Sequence, residues 1–247
     1  MLKSFFKRFG PKEDPLKDYS ALHTDMHSHL IPGIDDGAKT LDDSLVLIFE
    51  LYKLGFRKII TTPHIMSDYY KNTPENILGG LEEVKAAVAN EGLDVQLEAA
   101  AEYYFDEGLI RKLDEGKMLT FGDNHLLFEI SYINCPENIN EVVFKMLVLG
   151  YKPVLAHPER YPFWHNDFDK YREFRDLGVL LQINMNSLSG YYGPEAKRTA
   201  ERMIDEGLVD LLGTDCHHDR HINGLKYGLK EKYLKKALEL DLLNKTL

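Results

Sequence analysis

Seven short runs rich in Val, Ile, Leu or Thr, at 24–27, 57–62, 94–101, 126–130, 152–156, 178–183 and 209–213, punctuate the chain, each bounded by turn residues. They recur about every 26 to 37 residues with amphipathic stretches between them, a rhythm that implies repeated βα units and a parallel sheet. The most economical closure of such a chain is an α/β barrel of the TIM type. Helix signals fall where this scheme needs them. Thr40 followed by Asp43 reads as a capping box, and Leu45, Ile48, Phe49 and Tyr52 then keep helical spacing. Thr73-Pro74 opens a second helix with Ile77, Leu81, Val84 and Val88 on one stripe. A third, near 137–149, aligns Ile139, Val143 and Met146 and is closed by Gly150.

No Pro/Gly/Ser-rich linker divides the chain, so residues 20–247 read as one domain after an N-terminal segment, 1–19. In that segment Leu2, Phe5, Phe6 and Phe9 stand at helical spacing beside Lys3, Lys7 and Arg8, and Gly10-Pro11 ends the pattern. This is a short basic amphipathic stretch, read either as a helix packed on the domain or as a weak peripheral membrane contact through residues 1–10. It lacks the longer apolar stretch and cleavage site of a secretory signal. Forty Asp plus Glu against thirty Lys plus Arg leave a formal charge of -10, which disfavours nucleic acid as a partner. The two cysteines, Cys135 and Cys216, are far apart and form no CxxC, as expected of a protein from the reducing cytoplasm.

The polar residues at the strand ends carry the chemistry. His27 and His29 follow the first strand, His64 the second, Glu102 the third, Glu129 the fourth, His157 the fifth, and Asp215 with His217 the seventh. In a parallel barrel all carboxyl ends converge on one face, so these residues become neighbours there. Imidazoles and carboxylates suit borderline divalent ions such as zinc, manganese and iron. Taken singly, each has a structural alternative: an exposed histidine couple, a satisfied loop histidine, an ion pair for Glu102 or Glu129. Taken together they indicate a multinuclear metal site.

In the loop after the first strand, either Asp35 or Asp36 could reach a metal. Arg160 is placed to fork onto an anionic oxygen pair, and Arg220 could do the same or pair with Asp219. Gln182 and Asn184 end the sixth strand as neutral groups that support the site from behind. His23, His125 and His165 lie away from strand ends and read as structural or exposed. Tyr69, Tyr70, Tyr103, Tyr104, Tyr161, Phe163, Trp164, Tyr191 and Tyr192 follow the strand ends and could form an aromatic rim that receives a phenyl ring.

The segments DMHSHLIPGIDDGAKT, TTPHI, AAAEYYF, LLFEIS, VLAHPERY and GTDCHHDR, in this order, resemble the polymerase and histidinol phosphatase (PHP) superfamily. More narrowly, HSHLIPGIDDGAKT resembles the manganese-dependent bacterial protein tyrosine phosphatases of capsule and exopolysaccharide loci. The similarity covers roughly residues 22 to 220. It implies a distorted (β/α)7 TIM-like barrel, the PHP fold, with three divalent ions, manganese by expectation and iron or zinc as alternatives. By this resemblance His27, His29, Glu102 and Asp215 would hold the first ion. Glu102 would bridge to a second that also takes Glu129 and His157, and Asp36, His64 and His217 would hold the third.

Arg160 matches an arginine that such enzymes use for phosphate. Arg220 matches less closely, following Asp215 at an interval shorter than the family's, and the additional histidines His218 and His221 have no counterpart role. The implied reaction is attack of a metal-bridging hydroxide on phosphotyrosine, with Arg160 and Arg220 on the phosphoryl oxygens and His217 as a candidate proton donor. Cys216 is a poor nucleophile candidate because the CxxxxxR loop of cysteine-dependent tyrosine phosphatases is absent. The implied substrate is the tail of a membrane-associated bacterial tyrosine kinase that controls polysaccharide export, met in the cytoplasm or at the inner face of the membrane. A small-molecule phosphatase of the histidinol phosphate type is the competing enzyme, and a non-catalytic module in polysaccharide assembly the competing class.

Overall fold

A computed structural model describes residues 15–247. The amphipathic stretch read from residues 1–10 therefore lies outside the described residues. Strand and helix alternate as the sequence implies: β1 (Thr24–Asp25), α1 (Leu41–Lys53), β2 (Lys58–Thr61), β3 (His64–Ile65), α2 (Pro74–Asn90), β4 (Gln96–Ala99), β5 (Glu102–Tyr104), α3 (Glu107–Glu115) and β6 (His125–Glu129). There follow α4 (Ile139–Val148), β7 (Lys152–Ala156), α5 (Asp169–Asp176), β8 (Leu180–Asn184), α6 (Met185–Leu188), α7 (Pro194–Asp205), β9 (Leu211–Gly213), α8 (Asp219–Gly228) and α9 (Lys232–Leu238).

All strand pairs are parallel, in a three-stranded order β1-β2-β4 and a six-stranded order β3-β5-β6-β7-β8-β9. The two orders are halves of one barrel. β2 runs into β3 across Thr62-Pro63, and β4 into β5 across Ala100-Ala101, giving the seven strands expected. Backbone bonds from Ala100 N–H to Thr61 O (2.9 Å) and from Glu102 N–H to Pro63 O (3.1 Å) carry the ladder across both breaks. Strand one meets strand seven through a bridge between Ser28 and Cys216, with Asp215 N–H donating to His27 O at 2.8 Å and His29 N–H to Cys216 O at 2.9 Å. Buried Asp25 reinforces that seam, because its carboxylate accepts from Thr214 N–H (3.0 Å) and Thr214 Oγ1 (2.7 Å).

The barrel interior is filled by Met26, Ile60, Ala100, Phe121, Leu127, Val154, Ala156 and Leu211. Their strand neighbours Ile59, Leu126, Phe128, Leu155 and Leu212 point outward into the larger layer beneath the helices. This is the two-residue alternation of a strand buried on both faces. It also aims the site. Ile60, Ala100, Leu127 and Leu211 precede His64, Glu102, Glu129 and Asp215 by even numbers of residues, so the inward face ends in ligand-type side chains.

The helices seal the outside. The Thr40–Asp43 capping box forms, and so does one between Thr73 and Asn76 ahead of Pro74. α2 buries Ile77, Leu81, Val84 and Val88 as read. α1 differs: it buries Ser44, Leu47, Ile48 and Leu51, while Phe49 is 46% exposed and Tyr52 lies under the Arg57 guanidinium. The run SLVLIFELY is apolar on two adjacent faces, so periodicity alone does not select between them. Leu16 and Tyr19, assigned by sequence to the N-terminal segment, instead pack on the domain. Tyr19 is fully buried, stacks on Phe56 and donates its hydroxyl to Leu225 O at 2.7 Å. Among the described residues no helix is long and apolar enough to cross a membrane.

Candidate metal centre

At the carboxyl ends of the strands His27, His29, His64, Glu102, Glu129, His157, Asp215 and His217 converge, joined by Asp36 from the loop after strand one. All but Asp36 and His217 are buried. Two of the turns are strained. His157 and Asp215 adopt φ of 35° and 49°, left-handed values that ordinary residues avoid and that swing each side chain off its strand into the centre.

His27 Nε2 lies 3.2 Å from Glu102 Oε2 and 3.5 Å from Asp215 Oδ1. His29 Nε2 lies 3.4 Å from Glu102 Oε2, 3.5 Å from Asp215 Oδ1 and 3.4 Å from His27 Nε2. Four ligands at ~2.1 Å around a tetrahedral ion stand ~3.4 Å apart. These side chains therefore have the spacing of a coordination shell. A second set places His64 Nδ1 at 3.2 Å from both Glu102 Oε2 and Glu129 Oε1, with His157 Nε2 3.0 Å from Glu102 Oε1. A third places Asp36 Oδ1 3.5 Å from both His64 Nε2 and His217 Nε2.

Buried His64 Nδ1 and Glu102 Oε2 have no hydrogen-bond partner despite their proximity. Orphaned polar atoms facing each other in a buried site are costly unless a cation lies between them. The residues present thus fit divalent metal.

The outer partners fix which nitrogen faces inward. His29 Nδ1 meets Asp35 Oδ2 at 2.7 Å, His27 Nδ1 meets Gln182 Oε1 at 2.8 Å, and His217 Nδ1 meets the Asp215 carbonyl at 2.9 Å. Each partner atom accepts, so each Nδ1 carries the proton and each Nε2 presents a lone pair to the centre. Asp35 and Asp36, equivalent in sequence, have separate tasks: Asp35 is buried behind His29, and Asp36 is half exposed at the rim. Gln182 and Asn184 do support the site, through the side chains of His27 and Asp215.

The electrostatics follow from this crowding. Burial alone would lower the pKa values of His27 and His29, and facing carboxylates outweigh it and raise both. Burial would lift Glu102 and Asp215, and the surrounding histidines hold both carboxyls below their usual range instead. His221, which receives the His217 N–H on Nδ1 at 3.1 Å, is pushed down to about 3 by burial, aided by its neighbours His217 and His218.

The cavity over the centre is about 340 Å³ and is lined by Tyr70, Tyr132, Arg160 and Tyr192 along with the cluster itself. Arg160 Nη1 donates to Asp215 Oδ2 at 3.0 Å, and its guanidinium lies 4.1 Å from the Tyr192 ring centre and 5.0 Å from that of Tyr132. Arg220 is elsewhere. It is exposed in the first turn of α8, outside the cavity wall, and it is the backbone N–H of Arg220 that meets Asp219.

The aromatic rim is smaller than expected. Tyr103, Tyr161 and Trp164 are core residues, Tyr69 is 80% exposed, and Tyr104, Phe163 and Tyr191 lie outside the cavity wall, which leaves Tyr70 and Tyr192 from that set at the cavity. Ring size alone does not separate packing from lining. Tyr132 was missed, although it follows Glu129 in the loop after strand four, where a lining residue belongs. His125 stacks on Phe121 and His165 bonds to Glu159 O, both in structural positions.

A family model described as "Capsular polysaccharide synthesis, CpsB/CapC" matches residues 23–239. The chain belongs to the CpsB/CapC family. The CpsB/CapC match spans the barrel and every residue of the cluster. Among curated relatives, the tyrosine-protein phosphatase CpsB of Streptococcus pneumoniae is 29% identical over 200 residues, covering 78% of this chain and 82% of that one. A structure solved in work on YwqE from Bacillus subtilis and CpsB from Streptococcus pneumoniae, described as unique metal-dependent tyrosine phosphatases, aligns with a TM-score of 0.77. It is 25% identical and covers 84% of this chain and 86% of its own. The barrel itself reaches further: hisK of Listeria monocytogenes, a candidate histidinol phosphatase, aligns with a TM-score of 0.50 at 14% identity, covering 81% of this chain and 97% of its own, and shares the fold.

Proposed function

We propose that this member of the CpsB/CapC family is a metal-dependent protein tyrosine phosphatase. The observation that carries the reading is Arg160, a guanidinium set between two tyrosines and held in one cavity beside a cluster of five histidines and four carboxylates. The similarity to CpsB and to metal-dependent tyrosine phosphatases supports it.

In this reading three divalent ions, manganese by preference, would be held as follows: one by His27, His29, Glu102 and Asp215, one by Glu102, Glu129 and His157, and one by Asp36, His217 and His64 through its Nε2, while His64 Nδ1 faces Glu102 and Glu129. When bound, they neutralise phosphoryl charge and make water acidic enough to act as nucleophile near neutral pH. Arg160 orients the phosphoryl oxygens, and its bond to Asp215 together with the Tyr132 and Tyr192 rings keeps the guanidinium fork in place. Tyr70, Tyr132 and Tyr192 wall the space above, where a phenyl ring is screened from water. His217 serves as a ligand through Nε2, because its proton is committed at Nδ1 to the Asp215 carbonyl. A phenol leaving group with pKa ~10 needs little acid assistance.

The substrate is phosphotyrosine on the tail of a membrane-associated bacterial tyrosine kinase that regulates capsular or exopolysaccharide export. The enzyme meets it in the cytoplasm at the inner membrane face, aided by the basic amphipathic start at residues 1–10. The test is phosphate release from a phosphotyrosine peptide by metal-free and manganese-loaded protein, with His27→Ala and histidinol phosphate alongside. Metal-dependent turnover of the peptide, lost in the variant, is the expected result. Turnover of histidinol phosphate in preference to the peptide would overturn the assignment.

A further inference from the structure

A second cavity, about 410 Å³, lies between the 66–72 loop and α3, and shares Met66 with the cavity over the metal centre. The loop is the ridge between them: Met66 N–H donates to Tyr70 O at 2.8 Å, Tyr70 faces the centre, and Ser67 and Lys71 face the cleft. Lys71, Arg111 and Lys112 line the cleft and, among the described residues, make no ion pair. Many other surface cations of this chain are matched, as in Lys85 with Glu82, Lys170 with Glu173, Lys197 with Glu231 and Lys226 with Glu50. Of the two acids in the wall, Asp106 is committed to the N–H groups of Ser67 (2.8 Å) and Leu109 (3.0 Å), and Glu115, one turn along α3 from Arg111 and Lys112, forms no ion pair with either. A concentration of unmatched positive charge on a chain of net charge -10 is a local feature with a local use.

We propose that this cleft is a subsite for an anionic side chain flanking the phosphotyrosine, supplied by an acidic residue or by a second phosphate. The inference rests on the tyrosine phosphatase reading and names what that site recognises beyond the phosphotyrosine itself. A substrate chain in extended form advances ~3.3 Å per residue and returns a side chain to the same face every second position. With one phosphotyrosine in the centre, a near neighbour on that face crosses the Met66 ridge and hangs over Lys71, Arg111 and Lys112. Each contact is solvent-accessible and individually weak, so the three together favour a flanking anion about three- to tenfold, and salt erodes the preference.

The experiment is steady-state hydrolysis by the metal-loaded full chain. Its substrates are phosphotyrosine peptides carrying glutamate, phosphotyrosine or glutamine at successive flanking positions, with p-nitrophenyl phosphate as a substrate too small to cross the ridge. The expected result is a lower KM for anionic flanks, about three- to tenfold, removed by high salt and by the combined variant Lys71→Ala, Arg111→Ala, Lys112→Ala. In that variant p-nitrophenyl phosphate turnover is unchanged. A preference for glutamate flanks marks an acidic residue as the ligand, and one confined to phosphotyrosine flanks marks a second phosphate. Phosphopeptide turnover with no flank preference, or equal loss on every substrate in the variant, overturns the subsite alone. Turnover of p-nitrophenyl phosphate with none of any phosphopeptide overturns the tyrosine phosphatase reading, and the subsite with it.

Discussion

His29 Nδ1 lies 2.7 Å from Asp35 Oδ2, and neither side chain is reached by solvent. The same carboxylate accepts the N–H groups of His64 (3.1 Å, on Oδ2) and Gly37 (2.9 Å, on Oδ1), so Asp35 joins the first and second strand ends from behind. Asp35→Ala removes the acceptor that fixes the His29 tautomer, and partners of this kind are worth ~10- to 100-fold in metal affinity. Calorimetric titration of metal-free Asp35→Ala with manganese is expected to show that loss. Asp36→Ala is expected to weaken only the last equivalent bound, and a reversal of the two results would refute the separate tasks assigned to them.

The metal-free cluster is a proton store. Burial alone would lower the pKa of His64, and the facing carboxylates of Glu102 and Glu129 outweigh it and lift it from 6.5 to about 9. A raised folded-state pKa contributes stability that is complete below 6.5 and lost as pH climbs through 9. Metal requires the neutral ring, so loading expels protons and affinity grows with pH across the same window. Scanning calorimetry is expected to show the metal-free Tm falling between these pH values, with no such fall in the loaded protein. A metal-free Tm that rises there would contradict the linkage.

Arg160 and Arg220 are predicted to differ in consequence. Loss of a preorganised group on a developing oxyanion costs ~10²- to 10³-fold in kcat. Arg160→Ala is expected to fall in that range toward p-nitrophenyl phosphate, and Arg160→Lys to recover little, since an ammonium cannot reproduce a fork held between two rings. Arg220→Ala, exposed outside the cavity, is expected to keep kcat/KM within about twofold, in line with the small effects of surface substitutions. Comparable losses in the two alanine variants would place Arg220 back in the site.

Gly37 sets the approach of the acidic loop to the first histidine pair. A Cβ there would stand 2.2 Å from the His29 carbonyl oxygen and 2.5 Å from His29 Cβ. Backbone contacts so close cannot be relieved by a rotamer change. Gly37→Ala is expected to keep a native circular dichroism spectrum while losing metal stoichiometry and activity together, and full metal content in the variant would show that the loop can yield.

Much of this was legible before any coordinates. The seven strands and the residues that end them are local facts: runs rich in Val, Ile, Leu or Thr, turn residues that bound them, and a ligand-type side chain after nearly every run. The Thr73-Pro74 start of α2 was equally plain, because capping chemistry is written in adjacent residues. The phase of α1 was not, since its apolar run covers two faces and the barrel surface selects one. Nor was the part each tyrosine plays, which depends on whether a ring meets the core, as Tyr161 does, or the open end of the barrel, as Tyr192 does.

The sequence by itself determined the alternation of strand and helix, the set of metal-competent side chains, and their gathering at one end of a parallel barrel, because short-range periodicity and chain direction suffice for all three. Tertiary structure alone decided that Asp35 stands behind His29 while Asp36 faces the rim, that Tyr132 and Tyr192 hold Arg160, and that Arg220 stays outside. Those are choices between neighbours of like chemistry, settled by distances between atoms that lie from six residues apart, as in Asp35 and His29, to tens of residues apart, as in Asp35 and His64, and no local pattern encodes a distance.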